Sequence, residues 1–385
     1  MLKLVLSALV ALIPTVALAE PPAPRVIDLT APDGAMLKAT YYPAGAPGPA
    51  VLLLHMCNAN RSSWDPVGRQ LSAAGVHALA LDYRGYGESS GARFTELPPP
   101  ERQKLVNEKW AGDIDAAYAF LVSQDGVDKT RVGAGGGSCG VTHAVNVARR
   151  HPEVKSLVLL AGASDAGGRR FLLENPWLPV FASAAADDQF GAGVIKEMEW
   201  LSKLNGNPRN TFVGFKDGKH GTEIFGPHPE LPKQIVAWYV DTLVKAPADP
   251  KTPVTAKRTP ASEFWRALDG PDGVPKATAI YREAKQKDPT AYLFPENVLN
   301  LFGYEKLQAG ATKEAVAVFK LNIEAYPQSA NAQDSLGDGY LADGQKELAL
   351  AAAKKCLEML AMDASPEEFK KAIRQSAEEK IAKLQ

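Results

Sequence analysis

Gly136-Gly137-Ser138-Cys139-Gly140 sets two nucleophile-bearing side chains next to each other inside the run VGAGGGSCGVTHA. A hydroxyl or thiol attacks a carbonyl carbon efficiently only when a base takes its proton and a third group orients that base. His220 in KDGKHGTE and Asp187 in AAADDQFG, in distant parts of the chain, have the side chains that such a base and acid require. Ser138 fits G-x-S-x-G on both sides, whereas centring the pattern on Cys139 demands glycines at 137 and 141, and 141 is valine. Serine is therefore the expected attacker. Small residues two before and two after it are needed where a strand turns sharply into a helix and leaves the serine oxygen exposed at the helix N-terminus.

Such a turn requires a sheet covered by helices. Short β-like runs at 49–55, 76–83, 131–136, 155–162, 178–185 and 210–218 alternate with amphipathic stretches, and a hairpin at 25–31 and 35–42 precedes them around Pro32-Asp33-Gly34. This alternation predicts an α/β fold, a mostly parallel sheet flanked by helices. The hydrolase-like domain is expected over 20–245. A Pro-, Ala- and Thr-rich linker without apolar periodicity follows at 246–261, and an all-α domain at 262–385. In that last part a shift of 34 residues superimposes Gly303 on Gly337, Leu307 on Leu341, Gly310 on Gly344 and Ala315 on Ala349. The period resembles tetratricopeptide (TPR) helical hairpins, two of them, which implies capping by flanking helices or by the first domain.

Two further segments follow strands in the right order: 55-HMCNANRSSWDPVGRQLSAAG-75 and 81-LDYRGYGESSG-91. With the elbow they resemble the oxyanion loop and the D-x-R-G-x-G-x-S segment of the α/β-hydrolase superfamily, esterases and dienelactone hydrolases among them. Met56 stands where that family usually has glycine. The resemblance implies a Ser138, Asp187, His220 triad in the chain order of this fold. It also implies an oxyanion hole formed by the backbone N–H groups of Cys57 and Cys139. Asp188 is the alternative acid, with Asp187 preferred for its spacing from the preceding strand. Of the other histidines, His77, His151 and His228 read as surface or turn residues, His55 as a loop-packing residue, and His143 as a packed residue of the helix after the elbow. If Cys57 and Cys139 both serve the oxyanion hole, their backbones approach, and a Cys57–Cys139 disulfide is implied, leaving Cys356 free.

The N-terminus MLKLVLSALVALIPTVALAE carries one lysine, a short apolar run and Ala17-Leu18-Ala19, the pattern of a signal peptide over 1–19 that directs the chain to the periplasm or outside the cell. No later segment is apolar enough to span a bilayer. A net charge of −1 across 385 residues argues against nucleic acid as partner. No H-E-x-x-H or C-x-x-C motif calls for a metal, and no complete dinucleotide loop calls for a cofactor. The expected activity is that of an exported serine hydrolase, a carboxylesterase acting through an acyl-enzyme, on a small ester or peptide-like substrate without a large lid over the site. A peptidase of the same fold is one alternative. A catalytically silent scaffold is the other, its TPR-like repeats holding a protein partner or a second copy of the chain.

Overall fold

The structure, a computed structural model, describes residues 21–385 apart from Ala192, Ala364 and Pro366. The segment read as a signal peptide lies outside the described residues. All eight expected strands form: β1 Arg25–Thr30, β2 Met36–Tyr42, β3 Gly48–Leu54, β4 His77–Leu81, β5 Val127–Gly137, β6 Val154–Leu160, β7 Val180–Ala185 and β8 Thr211–Phe215. They make one sheet in the order β1-β2-β4-β3-β5-β6-β7-β8. The β1–β2 and β2–β4 pairs are antiparallel and the rest parallel.

The helices of this part are α1 Asp65–Ala73, α2 Pro99–Leu105, α3 Ala111–Ser123, α4 Cys139–Arg150, α5 Ala166–Glu174, α6 Gly193–Lys203 and α7 Glu230–Tyr239. The two-residue strand period sorts the core into two halves. Ala50, Leu52 and Leu54 of β3 and Leu157 and Leu159 of β6 pack with α3 to α6. Val51 and Leu53 of β3, with Val158 and Leu160 of β6, pack instead with α1 and α7. Strands buried on both faces read as continuous apolar runs, which is why they were legible.

Beyond Lys245 come α8 Pro260–Leu268, α9 Gly273–Lys287, α10 Glu296–Gln308, α11 Thr312–Ala325, α12 Ala330–Ala342, α13 Lys346–Met359 and α14 Glu367–Leu384. The 34-residue shift relates two turns bond for bond. Gly310 and Gly344 have φ of 77° and 76°. Ala311 N–H donates to Lys306 O and Gln345 N–H to Tyr340 O, both at 2.9 Å. Glycine ends each helix because the left-handed residue that closes it would strain a Cβ. The far end is covered by α14, where Ile373 and Ala377 pack on Ala353, Cys356 and Leu360.

The near end joins the first domain without a seam. Phe264 and Trp265 of α8, with Phe294 and Leu299, belong to the same apolar core as Leu172, Leu173, Trp200 and Leu201. The indole N–H groups of Trp200 and Trp265 both donate to the Leu293 carbonyl, at 2.9 and 3.2 Å. The segment read as a linker is also docked: Lys257 N–H donates to Gly206 O at 2.9 Å.

Candidate active site

Ser138 sits between β5 and α4 at φ 52°, ψ −120°, one of four non-glycine residues with positive φ among the described residues. Strain of this kind persists only where surroundings enforce it and is common at functional sites. The enforcement is visible at the flanking glycines. A Cβ on Gly136 would lie 2.0 Å from Gly140 O, and one on Gly140 would lie 2.5 Å from Leu54 O. Ser138 N–H donates to Leu160 O at 2.8 Å, anchoring the elbow to β6. Cys139 opens α4, so its N–H is one of the unpaired donors at a helix start, suited to a developing negative oxygen.

His220 follows β8 and is buried, 4% exposed. Its Nδ1 lies 2.7 Å from Asp188 Oδ2, and its Nε2 is buried with no protein partner among the described residues. Nε2 is thus the nitrogen left to take a proton. Ser138 and His220 line one cavity of about 310 Å³.

The acid on His220 is Asp188, which corrects the preference for Asp187. Asp187 is exposed in the turn after β7, and its Oδ1 accepts the Lys219 N–H at 2.9 Å. Asp188 has turned inward: Oδ1 accepts the Phe190 N–H at 2.9 Å while Oδ2 faces the imidazole. Spacing from the strand could not separate two adjacent carboxylates, because the turn between them decides which one points in.

The loop carrying Cys57 is pinned from two sides. His55 Nε2 accepts the Tyr83 N–H at 3.2 Å, so Nδ1 carries the proton that reaches Met56 O at 2.7 Å. Burial lowers the His55 pKa to about 4, which keeps it neutral. The Tyr86 hydroxyl donates to Cys57 O at 2.7 Å. Met56 does not adopt a positive φ, so the loop needs no glycine there. Its sulfur instead packs against the histidine loop, 3.7 Å from Thr222 Oγ1.

Cys57 and Cys139 form a disulfide, Cα–Cα 5.8 Å, while Cys356 is free and buried. The bond ties the loop after β3 directly to the residue after Ser138. One thiol per denatured, unreduced chain is therefore expected by thiol titration. Closing 82 residues of sequence separation, the bridge is expected to contribute up to about 4 kcal/mol by constraining the unfolded chain, read as a loss of stability on reduction.

His143 packs between Tyr83 and Trp110, ring centroids 5.5 and 5.3 Å away, and burial lowers its pKa to about 4. His77 is not a surface residue: it is 3% exposed on β4 and bonds Tyr41. Among the described residues no cluster of histidine, cysteine, aspartate or glutamate could hold a metal ion. The walls also bring in residues that no sequence motif singles out, Phe190, Glu197 and Asn297 among them. Phe190 packs edge-on to His220, centroids 4.4 Å apart, and Asn297 arrives from α10 of the helical part. Nothing in the sequence announces that a residue 159 positions beyond Ser138 lines the same cavity.

Residues 49–218 match a family model described as the alpha/beta hydrolase fold. An uncharacterized protein of Mycobacterium tuberculosis is 34% identical over 167 residues, 41% of this chain and 52% of that protein. A protein of Aspergillus aculeatus named thiohydrolase aneE is 29% identical over 150 residues, 39% and 45% of the two chains. The chain spans about half the length of the curated relatives it matches. Among solved structures, a Pyrococcus furiosus esterase is similar at TM-score 0.45 and 18% identity, covering 57% of this chain and 93% of that one. A dienelactone hydrolase from Anabaena variabilis is similar at 0.43 and 18%, covering 58% and 99%. With the parallel strands β3 to β8 and the strand-turn-helix at Ser138 in the part matched by that family model, and β1 and β2 extending the sheet at one edge, the chain carries the α/β-hydrolase fold.

Proposed function

We propose that the protein is an exported serine hydrolase that cleaves small carboxylic esters through an acyl-enzyme. The observation that carries this reading is one cavity bordered by a strained serine at a helix start and a histidine whose Nδ1 rests on a buried carboxylate. Ser138 Oγ attacks the carbonyl carbon as its proton passes to His220 Nε2. Asp188 holds the imidazole in the tautomer that leaves Nε2 open and stabilises its cation. The carbonyl oxygen, now negative, accepts from the N–H groups of Cys139 and Cys57, each such donor being worth about 10²–10³ in rate. The C–O bond of the ester then breaks, His220 returns the proton to the departing alcohol, and water repeats the sequence to release the acid and restore Ser138.

The cavity is at the small end of ligand pockets, which supports short acyl groups. Thioesters share this chemistry and belong in the substrate panel beside esters and aminoacyl amides. Export is supported by the N-terminal sequence and by the disulfide, since such bonds persist in oxidising compartments.

A fluorophosphonate probe is expected to add one label per chain, on Ser138, with labelling lost in Ser138→Ala and His220→Ala. Folded protein that stays unlabelled and inert toward the panel would instead favour the silent scaffold.

A further inference from the structure

Glu197 takes no part in the triad, yet it lines the same cavity as Ser138 and His220. It projects from α6 and is only 8% exposed. Its Oε2 accepts from Asn297 Nδ2 at 3.0 Å, and its Oε1 is buried without a protein partner among the described residues. Burial raises the carboxyl pKa to about 7, with the Asn297 bond acting in the opposite direction. Among the described residues Glu197 is the one acidic residue on the cavity wall, which also includes the small or apolar Ala161, Gly162 and Val194.

A half-satisfied carboxyl in such a place is unfavourable where a leucine or methionine would pack. The penalty is offset if the missing partner arrives with the substrate. A cation entering the cavity would ionise Glu197 and satisfy Oε1, whereas a neutral alkyl group would leave the oxygen stranded. Asn297 fixes the direction of the carboxyl by holding the other oxygen, so the helical part of the chain sets the geometry of this wall.

We propose that Glu197, tethered by Asn297, receives a protonated amine on the substrate, so that the site selects short esters or amides of aminoacyl type. This inference rests on the serine-hydrolase reading above.

The test compares p-nitrophenyl esters of alanine and isobutyric acid, which differ by ammonium against methyl at nearly equal size. Each kcat/KM is divided by the ester's own hydrolysis rate in buffer, which removes the intrinsic reactivity of the aminoacyl ester. Wild type is expected to favour the alanyl ester by about tenfold or more, the value of one charge-assisted hydrogen bond. Glu197→Gln keeps the volume and an oxygen for Asn297 but cannot take a charge, and is expected to bring the ratio to about one. Asn297→Ala, which frees the carboxyl to turn away, is expected to lower the ratio as well. If Glu197 only tethers α6 to α10, Glu197→Gln leaves the ratio where it was, and the inference fails. It also fails if wild type shows no preference. Fluorophosphonate labelling separates the two levels: a labelled enzyme without amine preference sinks this inference alone, and an unlabelled, inert one sinks the hydrolase reading and this with it.

Discussion

Asp188→Asn is expected to lower ester turnover by about 10⁴-fold, while Asp187→Asn changes it by less than about threefold. The two residues are adjacent and chemically identical, so the contrast isolates position. Asp188 Oδ2 accepts the proton on His220 Nδ1 and thereby leaves Nε2 free for the serine. An asparagine there can present its NH₂ to Nδ1 instead, which moves the imidazole proton to Nε2 and removes the base. The loss should appear in kcat, because the interaction matters most when the imidazole becomes a cation. Among the described residues, Asp187 supports only the Lys219 N–H, in an exposed turn. Its asparagine keeps an oxygen for that bond. Steady-state kinetics on both variants, with equal thermal melting as the control for folding, decides the matter. A larger loss at 187 than at 188 would remove Asp188 from the proposed triad.

The second large effect is on stability. Trp265→Ala is expected to cost about 3–5 kcal/mol, the range for deleting a fully buried large aromatic, and to do so for the whole chain in one unfolding transition. Trp265 is fully buried where α8 meets the first domain. Its ring packs against Trp200 at 5.8 Å, and the Arg169 guanidinium lies 4.2 Å over its face. Arg169 is itself 1% exposed, and its guanidinium nitrogens have no hydrogen-bond partner among the described residues. Removing the ring therefore opens a cavity and uncovers a buried cation that the ring's π face had stabilised. Guanidinium denaturation followed by far-ultraviolet dichroism gives the test. Two separated transitions, with the α/β part unmoved by the mutation, would show that the helical part folds as an independent unit.

Much of the scaffold was legible because it depends on local pattern. Strands β3, β4, β6 and β7 follow from apolar runs that are buried on both faces, the β1–β2 hairpin follows from its turn at Pro32-Asp33-Gly34, and the elbow follows from glycines whose absent Cβ atoms make room for the turn. The pairing of Gly310 with Gly344 was likewise readable, since a helix end that needs a left-handed residue selects glycine wherever the repeat recurs. The approach of Cys57 and Cys139 was implied by the resemblance to the α/β-hydrolase superfamily, which gives both residues oxyanion-hole positions, and the two are bonded.

Other features depended on directions that sequence spacing does not encode. Which of Asp187 and Asp188 faces His220 is fixed by the twist of a short turn, where a change of one residue reverses inside and outside. The segment 246–261 carries linker composition, yet it is docked, because Gly206 and Arg209, well before it in the chain, hydrogen-bond to Lys257 and Ala246. The outer wall of the site was the least visible of all. Asn297 reaches Glu197 only because α8 and its neighbours bury their aromatic faces against α5 and α6, and that packing is a property of two surfaces rather than of either sequence segment. The sequence by itself determined the sheet, the sharp strand-to-helix turn at Ser138 and the histidine loop after the last strand. Tertiary packing alone decided which aspartate faces His220 and which residues close the cavity, since both depend on where distant backbones come to rest against each other.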